Sequence, residues 1–143
     1  IYGGHYNKNF MKNNIKKLIK LKAKILQIKQ IGKNEFIGYN QTYKTNKITW
    51  IAVIGIGYGD GIKRILSNKG KIYLKNKTFD IIGRVSMDSI VADITSGVSL
   101  FKREKFVEII NEKHGIDEIA NTCETISHEI LTSLTNRVER RFV

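Results

Sequence analysis

The chain has 143 residues, a formal net charge of +12 and a hydrophobic content of 41%. These values predict one globular domain with a modest core, and they exclude two ordinary domains or an intrinsically disordered chain. No apolar run approaches the roughly 20 residues of a membrane-spanning helix, and the single cysteine excludes a disulfide framework. We therefore expect a cytoplasmic protein without a membrane partner.

The first predicted strand begins at Ile19, where apolar and basic residues alternate as far as Ala23. The alternation changes phase at Ile25-Leu26, and Leu26 and Ile28 continue it. A change of phase within a strand indicates a bulge or a bend.

Two further strands surround a segment that carries tyrosines. Phe36 begins one strand, whose alternation places Tyr39 and Tyr43 on the same face. Residues 48–56 are rich in β-branched and aromatic types, which predicts a buried strand. The glycines of "GIGYGDG", residues 55–61, follow at alternate positions, where glycine permits positive φ and close approach of backbones.

The second half of the chain changes from strands to helices. "KIYL" and "FDIIG" form a predicted hairpin that turns at residues 75–77, and "IVADI" is a further strand. "FVEII" fits a strand or a helix. In the tail, acidic residues begin a helix at "IDEIANTC", and Ser127 is suited to cap a second helix, "HEILTSL". The predicted fold class is mainly β: a small closed or partly closed β-barrel-like domain with two short C-terminal helices.

Two motifs differ in how much chemistry they carry. "GIGYGDG" is no dinucleotide fingerprint, because Asp60 stands where the third glycine is needed, and alone it is typical of a flexible passage from strand to loop. "GRVSMDSI" says more. Arg84, the Met87 backbone and Asp88 at a strand end are together suited to hold a carboxylate.

The histidines and the cysteine predict no metal site. His5, His114 and His128 are too far apart in sequence for a ligand pair, and we expect each to be a surface or capping residue. Cys123 lies on the apolar face of the first tail helix, so we expect it in the core rather than as a nucleophile.

Four stretches, taken in order, resemble the C-terminal β-domain of alanine racemase. They are "IGYNQTY", "IAVIGIGYGDGIKR", "IIGRVSMDSI" and "CETISHEILTSLTNRVERRF". Their shared order and compatible spacing are far more specific than any one motif. The resemblance implies that residues 17–143 form this β-domain, and that residues 1–16 are the end of a preceding barrel or a linker.

Alanine racemases interconvert L- and D-alanine, which supplies D-alanine for cell-wall peptidoglycan. The resemblance implies pyridoxal 5′-phosphate as cofactor, held mainly by an N-terminal (β/α)₈ barrel. It also implies a head-to-tail homodimer in the full enzyme, in which the barrel of one subunit and the β-domain of the other complete each active site.

Tyr39 matches the family's tyrosine base, which acts on one face of the substrate α-carbon while a barrel lysine acts on the other. Inverting a stereocentre needs proton transfer on both faces, and two opposed groups provide it directly. A phenol has an ordinary pKa near 10, so a nearby cation or hydrogen bonds must favour its ionised form.

Further residues match the family's site. Tyr58 matches a tyrosine that lines the substrate channel, and Arg64 and Arg84 match arginines near the channel's opening. Met87 matches a residue whose backbone N–H faces the substrate carboxylate. His128 stands where the family often has a tyrosine that donates to the cofactor phosphate, so it is the cofactor-binding candidate in this chain.

The barrel and its cofactor lysine have no counterpart here, so we expect the domain to be inactive alone and to need a barrel domain or chain. Two alternatives remain: an inactive fragment of a split racemase gene, and a basic β-barrel that binds single-stranded nucleic acid through its exposed tyrosines and lysines. The tyrosines of that second alternative are Tyr39, Tyr43 and Tyr58. The motifs do not separate alanine from serine as substrate.

Overall fold

The computed structural model describes residues 19–142, so the predicted barrel end or linker at residues 1–16 lies outside the described residues. The strands are β1 (Leu21–Ile31), β2 (Phe36–Ile37), β3 (Tyr43–Lys44), β4 (Thr49–Gly55), β5 (Lys71–Leu74), β6 (Lys77–Asp80), β7 (Ile90–Asp93) and β8 (Phe106–Ile110). The α-helices are α1 (Val98–Phe101), α2 (Ile116–Thr122) and α3 (Ser127–Ser133). All helices in residues 19–142 fall short of the length and apolarity needed to cross a bilayer.

Six of these strands form one antiparallel sheet in the order β6-β5-β8-β1-β4-β7, while β2 and β3 pair as a separate hairpin. An isolated bridge between Ile81 and Ala92 joins the continuation of β6 to β7, so the two edges of the sheet meet. Closing a sheet removes edges that would otherwise pair with other chains. The predicted β-barrel-like fold with two short C-terminal helices is confirmed.

The core lies inside this barrel. Ile54, Ile72 and Ile90 are fully buried there, and Phe79 meets Phe101 edge to face with 4.8 Å between ring centroids. Phe101 lies on α1, which the sequence did not predict because four residues are too few to show helical periodicity. The ambiguous "FVEII" segment is the strand β8, paired with β1 and β5.

The bulge predicted in β1 is present, because the register of β1 against β4 shifts between Ile25 and Gln27. The predicted facing of the residues around it is partly wrong. Ile25 and Ile28 pack against the core, whereas Leu26 is 57% exposed. A bulge leaves one extra residue without a partner across the ladder, and here that residue turns outward.

Tyr39 and Tyr43 do not share a strand face, so that prediction is wrong. β2 ends at Ile37, and Gly38 follows with φ of 75°, a left-handed conformation that glycine adopts without strain. This residue turns the chain, and Tyr39 begins a short turn (Tyr39–Gln41) in which Asn40 and Gln41 have left-handed φ values of 60° and 51°.

The predicted cap of the second tail helix is also wrong. Ile126 occupies the N-cap of α3, and no side chain caps the helix there. The Ser127 hydroxyl instead donates to the Asp117 carboxylate on α2. The Ser127 hydroxyl, which the local sequence predicts to cap α3, therefore forms a contact between α2 and α3 instead.

Candidate functional site

Tyr39 projects from the surface of the domain, with 71% of the residue exposed. Its turn lies directly on another backbone segment, since a Cβ on Gly38 would lie only 2.9 Å from the backbone nitrogen of Arg84. The phenol of Tyr39 is therefore held on a closely packed turn and is accessible to a molecule outside this β-domain.

Asn68 fastens this turn to the same segment. Its side-chain oxygen accepts a hydrogen bond from the Gly83 N–H at 2.6 Å, and its amide nitrogen donates to the Thr42 hydroxyl at 3.3 Å. Thr42 directly follows the Tyr39 turn. One asparagine thus links the turn that carries Tyr39 to the residue that precedes Arg84.

The residues on both sides of Arg84 have hydrogen-bonded backbone amides. The Gly83 N–H donates to Asn68, as described above, and the Val85 N–H donates to Ser67 Oγ at 3.0 Å. The Arg84 side chain is half-buried, and its Nε is buried without a hydrogen-bond partner among the described residues. Leaving such a donor unpaired costs roughly 1–3 kcal/mol, so an incoming acceptor would be favoured there. A guanidinium N–H of this kind suits an anion.

Tyr58 is fastened to the far end of the same segment. It begins a 3₁₀ turn (Tyr58–Asp60) and is 47% exposed. Its N–H donates to Ser86 O, and the N–H of Gly59 donates to Met87 O, both at 2.9 Å. Met87 is itself 50% exposed, so these backbone hydrogen bonds join two loops that each carry an exposed candidate residue.

Close packing explains the glycines of "GIGYGDG". A Cβ on Gly57 would overlap the backbone of Ser86 and Met87, and a Cβ on Gly59 would overlap the Arg137 guanidinium. The motif is therefore a tightly packed junction between two loops, and the interpretation of a flexible passage does not describe it.

Asp60 and Asp88 are both held by Arg137. Asp60 accepts a hydrogen bond from the Gly57 N–H at 2.8 Å, and its other oxygen lies 3.2 Å from Arg137 Nε. Arg137 Nη2 donates to Asp88. The sequence alone could not identify this partner of Asp88, which lies 49 residues away along the chain.

Arg64 and His128 lie at the margin of this arrangement. Arg64 is exposed on its own 3₁₀ turn (Arg64–Leu66), and His128 is exposed in the first turn of α3. An ion pair of 2.7 Å between Lys63 and Glu129 connects the two elements. Arg84 and Met87 lie on one segment, and the turns that carry Tyr39 and Tyr58 pack against it. Arg64 and His128 lie on other elements.

Sequence analysis missed a second cluster of ionisable groups. The His114 ring stacks on Tyr73 with 4.0 Å between centroids, and its Nδ1 lies 2.9 Å from Glu118. Burial raises the pKa of Tyr73 to about 12, and Glu118 adds to the shift. Tyr73 and Glu118 line a largely apolar cavity of about 290 Å³, which none of the predicted site residues lines.

Cys123 is half-buried at the end of α2 and packs against the core, as predicted. Burial raises the pKa of its thiol, which disfavours the nucleophilic thiolate. His5 lies outside the described residues. Residues 19–142 hold no group of three or more His, Cys, Asp and Glu side chains placed to bind a metal ion.

Residues 18–142 match the family described as "Alanine racemase, C-terminal domain". The alanine racemase of Brucella ovis is 41% identical over 140 residues, which are 97% of this chain and 35% of that protein. The alanine racemase of Rickettsia canadensis is 39% identical over 126 residues, again 35% of its own length. The chain therefore spans about a third of the curated relatives it matches.

Solved structures agree with this match. Alanine racemase from Bartonella henselae, with covalently bound pyridoxal phosphate, aligns with a TM-score of 0.83 and 38% identity over 87% of this chain and 34% of its own. Alanine racemase from Bacillus anthracis, with bound L-Ala-P, aligns with a TM-score of 0.85 and 31% identity over 96% of this chain and 36% of its own.

Proposed function

The chain belongs to the alanine racemase family as a C-terminal domain, and on that premise we propose that it supplies half of a racemase active site for L- and D-alanine. The other half would be a pyridoxal phosphate-binding barrel domain or chain, and the full enzyme would be a head-to-tail dimer. One observation carries the proposal: an exposed tyrosine, Tyr39, stands on a turn packed against the backbone of a half-buried arginine, Arg84.

The described residues fit the substrate side of such a site. A substrate carboxylate needs a cation and N–H donors, and Arg84 Nε is a buried donor without a partner among residues 19–142. The Met87 N–H donates no hydrogen bond within the same residues. Both groups lie on the segment against which the two tyrosine turns pack, and in the proposal the substrate carboxylate would be held there.

Pyridoxal phosphate, when bound by the barrel, would supply the electron sink for the pair left on the α-carbon after the proton is removed. The residue of this chain that would meet its phosphate is His128, which is exposed and can donate from a ring nitrogen.

Racemisation requires that a proton leave one face of the α-carbon and that another arrive on the opposite face. In the proposed mechanism Tyr39 Oη accepts the proton on its own face in one direction and donates it in the other. Arg84 would hold the substrate carboxylate while Tyr39 acts, since the Arg84 backbone nitrogen lies against Gly38, which precedes the Tyr39 turn.

Selection of a small amino acid would come from the opening of the site. Tyr58 and Met87 are exposed, and the hydrogen bond between Gly59 and Met87 joins their loops. Their side chains would narrow the substrate channel and so exclude larger amino acids. Arg64, exposed on the neighbouring turn, would contribute charge at the outer end of the channel.

Reconstitution tests the proposal. The chain is mixed with a separately expressed family barrel and pyridoxal phosphate, and conversion of L- to D-alanine is measured against the barrel alone. We expect activity that depends on the chain and is lost in Tyr39→Phe. The matched control is Tyr43→Phe, four residues away, which keeps activity because Tyr43 packs against the Ile37, Ile51 and Ile82 cluster. A folded chain that adds nothing to the barrel contradicts the proposal and identifies an inactive fragment.

A further inference from the structure

We propose that Arg137 is a positioning residue for substrate binding, which holds the Met87 peptide and the Tyr58 turn in one fixed relation. The proposal rests on the function proposed above. Arg137 lies outside the residues that would touch substrate, and it acts through the two loops that carry them.

The tail segment at residues 133–137, here called the strap, lies across the Tyr58 turn. The Thr135 N–H donates to Asp60 O at 3.2 Å, and the Thr135 hydroxyl donates to Gly59 O at 2.9 Å. The strap therefore donates to two carbonyl groups of the Tyr58 turn, while the Gly59 N–H of the same turn donates to Met87 O.

Arg137 then joins the two loops through their carboxylates. Its Nε lies 3.2 Å from Asp60, which belongs to the Tyr58 turn, and its Nη2 donates to Asp88, which follows Met87. Both carboxylates raise the pKa of Arg137. Without the guanidinium, two negative side chains would be left facing the same space and would push the loops apart.

Arginine suits this arrangement because two different guanidinium nitrogens, Nε and Nη2, meet Asp60 and Asp88. A lysine ammonium carries all three of its N–H donors on one nitrogen at the end of a flexible stem, so it does not reproduce this fixed separation. The guanidinium also packs directly against Gly59, since a Cβ there would overlap it. Arg137→Lys therefore keeps the charge and loses the geometry, while Arg137→Met loses both.

Substitution of Arg137 would weaken substrate binding in the reconstituted enzyme more than it would slow proton transfer. Tyr39 is fastened independently, through Gly38 and Asn68. We expect KM for alanine in the reconstituted enzyme to rise about tenfold in Arg137→Lys and further in Arg137→Met, with kcat changed less than KM, in keeping with the loss of a charged hydrogen bond.

Amide hydrogen exchange on the chain alone provides a readout that needs no activity. We expect the Tyr58 and Gly59 amides to exchange about tenfold faster in both Arg137 variants, while Ile54 of β4 is unchanged. The control is Arg141→Met, which removes an exposed tail arginine whose ion pair within residues 19–142 is with nearby Glu139, at 2.9 Å. Unchanged exchange at Tyr58 and Gly59 overturns the proposal.

The two proposals fail in different ways. If the unaltered chain gives no activity with the barrel, the proposed function fails and this inference falls with it. If the unaltered chain is active and Arg137→Lys has an unchanged KM, or loses kcat alone, the positioning role is overturned while the function stands.

Discussion

Single atoms decide how closely the two loops of the candidate site can pack. Gly57 has no space for a methyl group, because a Cβ there would overlap the backbone of Ser86 and Met87. Gly55, two residues earlier in the same run, faces the exposed side chain of Leu26, which is free to move. Close approach of another backbone therefore requires glycine at position 57, whereas Gly55 contacts only a side chain among its nearest neighbours.

Gly57→Ala is therefore expected to destabilise the domain by about 1–3 kcal/mol, the usual cost of forcing an extra methyl into a packed site. Gly55→Ala is the matched control and should cost clearly less, because its Cβ would lie 3.2 Å from Leu26 side-chain atoms only. Urea unfolding of both variants measures the difference. Equal losses would show that the close approach at Gly57 is relieved by movement of the loop.

The raised pKa of Tyr73 leads us to expect that the stability of the folded domain depends on pH. Its pKa is raised to about 12 in the folded domain, chiefly by burial, against an ordinary value of 10.0. The unfolded chain therefore loses this proton first, so stability from Tyr73 is intact below about pH 10 and is lost between pH 10 and pH 12. We expect the unaltered domain to lose roughly 2 kcal/mol more than Tyr73→Phe between pH 9 and pH 11.5 in urea unfolding. Parallel losses in the two proteins would contradict the raised pKa.

Among the elements, the connection from the 3₁₀ turn at Arg64–Leu66 to β5 carries much of the site's order. Asn68 adopts a left-handed conformation with φ of 58° and hydrogen bonds to both Gly83 and Thr42. Asparagine tolerates that conformation better than most residues. A loop residue therefore fixes how the Tyr39 turn lies against the Arg84 segment.

Asn68→Ala should destabilise the domain by roughly 1–3 kcal/mol, because it leaves the part-buried Gly83 N–H without an acceptor. Asn68→Asp keeps that acceptor and loses only the exposed bond to Thr42, so its cost should be smaller. Urea unfolding gives the stabilities, and amide exchange at Asn40 reports whether the Tyr39 turn loosens. An aspartate variant as damaged as the alanine variant would assign the effect to the Thr42 bond instead.

At the scale of the whole molecule, the distribution of charge and aromatic rings bears on the nucleic-acid alternative. Tyr39 and Tyr58 are exposed, whereas the half-buried ring of Tyr43 packs against an aliphatic cluster. Burial raises the pKa of Tyr43. A continuous stacking platform of all three tyrosines is therefore not present, and the net charge of +12 alone would give only salt-sensitive attraction.

We expect single-stranded oligonucleotides to bind weakly at low salt and to show no saturable binding near 0.15 M salt. Fluorescence anisotropy across a salt series measures this, with Tyr39→Ala/Tyr58→Ala as the comparison. Tight binding at the higher salt that the double variant abolishes would favour the nucleic-acid function over the racemase proposal.

Sequence reasoning located most strands because alternation of apolar and polar residues directly reflects which side of a strand is buried. It failed at Gly38 and at Ser127, where a change of backbone direction and a contact between helices outweighed the local pattern. Four ordered motifs were enough to name the family, which the match over residues 18–142 confirms. The roles of the individual site residues remain predictions.

The amino-acid sequence by itself determined the mainly β character, the bulge in β1 and the two tail helices, because each depends on residues close together in the chain. Only the tertiary structure decided that the sheet closes at Ile81 and Ala92, and that one arginine near the chain's end holds carboxylates on two distant loops. Those pairings depend on the path of the whole backbone, which local periodicity does not encode.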